Sequence, residues 1–279
     1  MTVDKAFFNT RDAFGFDSIL WGRQGLDELG GNVLHKGGSA DGVALVKNLS
    51  KATSMKFGWY DIKTDTTNTT AGNSTSSNAQ DIRFLSTEFK ISNRLTLGGL
   101  LLGNDSQTSA TYMGSSYSYN GSHIKGVSAQ YKMGGWTMLG EYDWVGLDRP
   151  VGIDQNLHGY AVQITNGKYN TNRFLPVPQT YTNINKPGDS AFTVAYHCND
   201  AGAIPSKLGP WNGITVISPN YVIGGKAVTP QDGVKGWAVD YQYVLAKGIE
   251  AELMYQDLKF VKDGSAFDQT LMLVLNTRF

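Results

Sequence analysis

Side chains of opposite character alternate residue by residue through most of this chain. From Gly236 to Leu245, one side of an extended backbone receives Trp237, Val239, Tyr241, Tyr243 and Leu245, and the other receives Gly236, Ala238, Asp240 and Gln242. A period of two belongs to β-strands, because successive Cβ atoms point to opposite faces of a sheet. After the turn Ala246-Lys247-Gly248, Ile249, Ala251, Leu253 and Tyr255 oppose Glu250, Glu252 and Gln256. The last segment sets Leu271, Leu273, Leu275, Thr277 and Phe279 against Thr270, Met272, Val274, Asn276 and Arg278. A chain patterned in this way is committed to sheet.

The pattern predicts about thirteen strands, at 3–11, 16–24, 40–48, 54–64, 81–91, 94–104, 122–133, 135–145, 158–168, 189–198, 233–245, 248–260 and 267–279. Many run to about ten residues, longer than the five or six usual in soluble sheets and the length a tilted strand needs to cross a bilayer. Connections alternate in length. Short turns fall near Ala13-Phe14-Gly15, Ser50-Lys51-Ala52-Thr53, Ser92-Asn93, Met133-Gly134-Gly135 and Ala246-Lys247-Gly248. Long polar loops are expected at 25–39, 65–80, 105–121, 146–157 and 199–232, the second of them low in complexity. The 169–188 connection breaks the rule, being long on the short-turn side and carrying Pro176, Pro178 and Pro187. Short turns at one rim and long loops at the other are the arrangement of an outer-membrane barrel.

The chemistry of the two faces points the same way. Glu141, Asp143, Asp240, Glu250 and Glu252 lie opposite the bulky apolar residues, and so many charges cannot be buried dry. Apolar faces rich in Trp, Tyr and Leu would form a large sticky belt in water. Both difficulties vanish when the apolar face meets lipid and the polar face lines a water-filled, closed lumen. Charged residues are 17% of the chain, below the roughly 25% of average soluble domains, as expected when half of every strand faces lipid. The expected fold class is therefore all-β, a transmembrane antiparallel β-barrel. Trp21, Trp59, Trp136, Trp144, Trp237, Tyr142, Tyr243 and Tyr255 are its candidate interfacial girdle residues, although aromatics also pair across strands in any sheet. Lys56, Arg83, Asp240, Glu250 and Glu252 are candidate lumen-lining residues, with Tyr60 and Phe7 as lumen-side aromatics.

Other classes are excluded or weakened. No stretch approaches the roughly 18 apolar residues of a membrane helix. Net charge is zero, with 24 basic and 24 acidic residues and no basic cluster, which argues against nucleic-acid partners. A single Cys excludes a disulfide framework or a Cys-rich metal site. No cofactor or metal is expected. The start, Met1-Thr-Val-Asp-Lys5, has no basic region followed by an apolar core, so no secretory signal is expected within the sequence as given.

The terminal Leu-Val-Leu-Asn-Thr-Arg-Phe279 resembles the carboxyl-terminal signature read by the barrel-assembly machinery. The runs Lys5-Ala6-Phe7-Phe8 and Phe16-Asp-Ser-Ile-Leu-Trp-Gly22-Arg23-Gln24 are similar to strands preceding the constriction loop of trimeric general porins, nearest to the S-layer-homology-anchored major porins of diderm Firmicutes. That resemblance implies a sixteen-stranded barrel of which this chain supplies about 13–14 strands. Residues 1–279 would then form the porin domain, without the first strands, the signal peptide and the anchor. It further implies a homotrimer in the bacterial outer membrane, surrounded by lipid and with a possible cell-wall tether through the anchor. Gly25–Gly38 becomes the candidate constriction loop. Asp27, Glu28 and Asp41 would supply negative charge there, with Gly30 and Gly31 easing the backbone path. Lys5 would face them, and Arg23 would either line the constriction or anchor the loop through a carboxylate pair. His35-Lys36 would make conductance pH-sensitive.

The implied function is passive diffusion of ions and small hydrophilic solutes, with a sugar-specific channel as the alternative. An outer-membrane enzyme is the weakest reading. The sequence has no Gly-x-Ser-x-Gly, Gly-x-x-x-x-Gly-Lys-Ser/Thr or His-Glu-x-x-His motif. His197 and Cys198, as strand neighbours, point to opposite faces. His158 with Asp154 and Asp148 is the remaining local grouping.

Overall fold

The computed structural model describes residues 6–27, 35–62, 66–70, 73–77, 80–105, 107–112, 115–166, 184, 186–200, 202–203, 222–223, 226–227, 233–262, 264 and 266–277. These residues contain nineteen strands and no helix. Thirteen form one antiparallel sheet: β1 (Ala6–Ala13), β2 (Phe16–Asp27), β3 (His35–Asn48), β4 (Thr53–Ile62), β7 (Gln80–Lys90), β8 (Leu95–Asn104), β11 (Ser122–Met133), β12 (Trp136–Leu147), β13 (Asn156–Asn166), β14 (Ser190–Asn199), β17 (Val234–Ala246), β18 (Ile249–Phe260) and β19 (Ala266–Thr277). Each strand pairs with the one before and after it in this order, which makes the sheet a simple meander of the expected number of strands. No pairing joins β1 to β19 among the described residues. Thirteen is odd, so these two edge strands run in the same direction.

Short turns set the register. Ala13 pairs with Phe16, leaving Phe14 at φ 53° and Gly15 at φ 81°, the two positive values that a two-residue type I′ hairpin demands. Met133 pairs with Trp136 around Gly134 at φ 59°. Ala246 pairs with Ile249 around Gly248 at φ 76°.

Alternation then divides the sheet. Along β14 and β17, Ala191, Thr193, Ala195, His197, Asn199, Val234, Gly236, Ala238, Asp240 and Gln242 are buried, while the residues between them are more exposed. The buried face includes Asp143 and His197 at 0% exposure and Glu252 at 2%. No helix among the described residues covers this face. The opposite, outer face presents Trp21, Trp59, Trp144, Trp237, Leu253, Leu271 and Leu273 to the surroundings. The edge strand β1 is exposed along almost its whole length.

Four of the expected long loops contain strand. β2 and β3 stay paired out to Asp27 opposite His35, past a register shift between Gln24 and Leu26. The 65–80 and 105–121 connections contribute β5 (Thr66–Thr70), β6 (Asn73–Ser77), β9 (Thr108–Tyr112) and β10 (Ser115–Tyr119), a separate four-stranded sheet in the order β10-β9-β6-β5. Their Ser, Thr and Asn residues lack the polar/apolar contrast on which alternation depends, while Thr itself favours strands. β15 (Val222–Ile223) and β16 (Lys226–Ala227) form a short ribbon in the 199–232 connection.

Close backbone approach explains two inward glycines. A Cβ on Gly236 would sit 2.1 Å from the Asp257 carbonyl oxygen and 2.9 Å from Leu258 Cα, and one on Gly58 would sit 2.4 Å from the Phe84 ring. Gly236→Val is expected to break the β17–β18 pairing and abolish the heat-modifiable folded band on electrophoresis. Gly135→Ala, in a turn with open space around it, leaves the band intact.

Candidate functional site: the enclosed face of the sheet

From β12 to β18 the enclosed face carries Glu141, Asp143, Asp240, Glu250 and Glu252 and neither Lys nor Arg. Two of the three carboxylates of β17 and β18 are organised around one amide. Gln242 Nε2 donates to Asp240 Oδ2 at 3.1 Å and to Glu252 Oε1 at 2.9 Å, and Glu252 stands directly opposite Gln242 in the register. The neutral amide spaces two carboxylates that would otherwise repel each other. Ser122 Oγ, Thr193 Oγ1 and Gln24 Nε2 are buried on this face without a protein hydrogen-bond partner. Burying such groups in a dry core is costly, and a hydrated interior removes that cost. The other half of the wall carries Lys56, whose Nζ lies 5.5 Å from the Phe84 ring centroid. Beside it is a cavity of about 320 Å³ lined by Ser54, Lys56, Ser86, Glu88, Ser128 and Gln130.

The enclosed face is not polar throughout. Towards the long connections, Tyr60, Ile82, Phe84, Leu102, Ile124, Val145, Leu147 and Leu157 form a continuous apolar cluster. Tyr60 stacks parallel to Phe84, their centroids 6.1 Å apart. The sequence reading placed Tyr60 on this side but missed the cluster. Its strands are apolar on both faces there, Phe84 beside Leu85 and Leu102 beside Leu101, so alternation has no contrast to read.

Several predicted site residues lie elsewhere. Arg23 and Asp41 are directly opposite each other on β2 and β3, with Arg23 Nε and Nη2 donating to the two Asp41 oxygens at 2.8 and 2.7 Å. They share the face of Trp21 and Val43, so this pair fastens the hairpin on the outer side and does not line a constriction. Arg83 is likewise outward, its guanidinium 5.6 Å from the Trp59 ring centroid and 3.3 Å from Asp105 Oδ2. Two apolar neighbours, Ile82 and Phe84, occupy the inward positions that an opposite phase would have given to Arg83. Asp27 lies in strand, paired with His35, rather than in an inward-folded loop. Lys5, Glu28, Gly30, Gly31 and Phe279 lie outside the described residues, as does most of 169–188. Asp240, Glu250, Glu252 and Lys56 are on the enclosed side. Phe7 stands opposite Gly22 on the exposed edge strand.

Aromatics organise the outer face in two belts. Near the long connections, Phe8 stacks on Trp21 at 4.6 Å. A chain of contacts then runs Trp144, Tyr142, Tyr160, Tyr196, Trp237 across β12, β13, β14 and β17, with centroid spacings of 4.7, 6.2, 6.2 and 4.8 Å. Near the short turns, Trp136 meets Phe192 edge-on at 6.2 Å, with Tyr131, Tyr241 and Tyr243 also outward. On β12 the belts are eight residues apart, about 27 Å along the strand and about 20 Å in height at the usual tilt, close to the apolar band of a bilayer-spanning barrel.

No protein-family profile matches the sequence, and no curated protein matches it. Several solved structures are similar to this chain. The outer membrane channel DcaP of Acinetobacter baumannii is 15% identical, with 94% of this chain and 71% of that one covered, at a TM-score of 0.49. OccK8 (OprE) of Pseudomonas aeruginosa is 12% identical over 96% of this chain and 68% of that one, at 0.44. The outer membrane protein OprD of Pseudomonas aeruginosa is 13% identical over 93% and 74%, at 0.39.

Removing the bridging amide tests the carboxylate arrangement. Gln242→Leu is expected to lower the unfolding free energy in urea by about 3–6 kcal/mol, the scale of two lost hydrogen bonds to charged groups. The outward neighbour change Tyr243→Leu costs less than about 1 kcal/mol by the same measurement.

Proposed function

We propose that this chain forms the wall of a channel in the bacterial outer membrane, through which ions and small hydrophilic solutes pass by diffusion. One observation carries the reading: from β12 to β18 the sheet encloses Glu141, Asp143, Asp240, Glu250 and Glu252 and exposes Trp144, Trp237, Leu245 and Leu253. In water this arrangement is inside out. In a bilayer the exposed face is solvated by lipid and the enclosed face by water. The barrel portion of an S-layer-homology-anchored porin, assembled as a trimer by the barrel-assembly machinery, remains the family reading, supported by the Gly22-Arg23-Gln24 and carboxyl-terminal resemblances.

A substrate-specific channel is the second reading, favoured by the apolar cluster on the enclosed face. A catalytic role has little support. His158 points outward with Nδ1 3.0 Å from the Tyr142 hydroxyl, and Asp200 Oδ2 accepts from the His158 backbone N–H rather than from its ring. His197 and Cys198 occupy opposite faces of β14.

Five carboxylates on one side of the lumen favour cations over anions. Refolded protein in a planar bilayer is expected to conduct in discrete steps, with a reversal potential displaced towards cation selectivity in a salt gradient. Asp240→Asn with Glu252→Gln reduces that displacement, while Asp41→Asn, on the outer side, leaves it unchanged. Absence of conductance from heat-modifiable, folded protein overturns the channel.

A further inference from the structure

Three neighbouring short turns form one patch at the rim opposite the long connections. The Lys90 N–H donates to the Ala52 carbonyl at 2.7 Å and the Lys132 N–H to the Arg94 carbonyl at 2.8 Å, so the β3–β4, β7–β8 and β11–β12 turns lie side by side. Each turn carries the same two kinds of side chain. Leu49, Ile91 and Met133 are apolar and more than half exposed, and Lys51, Arg94 and Lys132 are exposed cations. The segments 48–53, 90–95 and 132–136 contain no Asp or Glu. Glu88 Oε1 lies 3.5 Å from Lys90 Nζ, and among the described residues no carboxylate pairs with Lys51, Arg94 or Lys132. At the other rim charges are interleaved, Asp105 meeting Arg83, Asp148 meeting His123 and Asp257 meeting Lys259.

From this placement we propose that the short-turn rim binds anionic phospholipid, with Lys51, Arg94 and Lys132 on the phosphates and Leu49, Ile91 and Met133 against the upper acyl chains. The proposal rests on the membrane reading above and names the lipid that this rim selects. Adjacent exposed apolar tips make a sticky patch in water. Lipid, rather than a protein segment, is the occupant because the patch continues up the outer wall. Phe89, Leu97 and Tyr131, one or two residues from the turns, are exposed on that wall, and Met133 pairs with Trp136 of the belt near the short turns. Such belts sit at headgroup level. Lys and Arg at that level keep their stems over apolar surface and extend their charges to the phosphates. A zwitterionic headgroup brings an ammonium group that offsets this attraction, and a net-negative one does not. Each Lys or Arg near an anionic surface favours it by about fivefold.

Native mass spectrometry tests this on protein refolded into vesicles of phosphatidylglycerol and phosphatidylcholine, equal in amount and in acyl chains, then extracted into mild detergent. Phosphatidylglycerol is expected to stay bound in about fivefold excess, an excess that falls when extraction is done in high salt. Lys51→Gln with Arg94→Gln and Lys132→Gln brings the two lipids to parity. The double change Lys51→Gln with Lys132→Gln lowers the excess and serves where the triple variant does not fold. Arg149→Gln with Lys259→Gln and Lys262→Gln removes the same charge from the opposite rim and leaves the excess unchanged. Leu49→Ser with Ile91→Ser and Met133→Ser lowers retention of both lipids. Equal retention of the two lipids by folded wild-type protein, the result expected if an acidic protein segment is the occupant, overturns this inference alone. An excess that survives the glutamine changes does the same. Failure of the wild-type protein to fold into vesicles of any composition overturns the membrane reading and this inference with it.

Discussion

A β-strand divides its side chains between two faces with no freedom to redistribute them, because the period of two is fixed by the backbone. Once thirteen strands are joined edge to edge, each face becomes one continuous surface, and each must find its own solvent. Here the division sends five carboxylates of β12, β17 and β18 to the enclosed side and Trp21, Trp59, Trp144, Trp237, Tyr241 and Leu253 outward. Curling the sheet satisfies both surfaces at once, provided that the outside is lipid and the inside is wet. The glycines at Gly58 and Gly236, which allow an aromatic ring or a neighbouring backbone to approach, and the tight turns at 14–15 and 247–248, which keep the strands in phase, all serve this division.

The enclosed face is graded rather than uniform. Its polar part has two halves of unequal charge, five carboxylates with no Lys or Arg among the described residues of that face from β12 to β18 and a lysine held over Phe84 on the other side. Nearer the long connections the wall turns apolar.

Much of this was legible in the sequence. β17, β18 and β12 could be phased because their two faces differ sharply, and the phase placed Asp240, Glu250, Glu252, Trp144 and Trp237 on the faces they occupy. Where contrast fails, phasing fails with it. Arg83 sits in the run Ile82-Arg83-Phe84-Leu85, which permits either phase, and the outward Trp59 ring and Asp105 decide it. Arg23 and Asp41 are eighteen residues apart in the chain, and only the β2–β3 register reveals them as partners. The hairpins within 65–80 and 105–121 have no apolar periodicity to announce them. They are held by pairing with one another, a long-range fact that local pattern does not carry.

The central claim concerns which face meets which solvent, and spin labels along β17 test it most directly. In protein refolded into phospholipid vesicles, with Cys198 replaced by Ala, single cysteines at 237 to 243 would each be labelled with a nitroxide. Labels at Trp237, Val239, Tyr241 and Tyr243 are predicted to collide with dissolved oxygen, and those at Ala238, Asp240 and Gln242 with a water-soluble nickel chelate, in strict alternation. Alternation of the opposite phase, or uniform access to the chelate, would contradict the account.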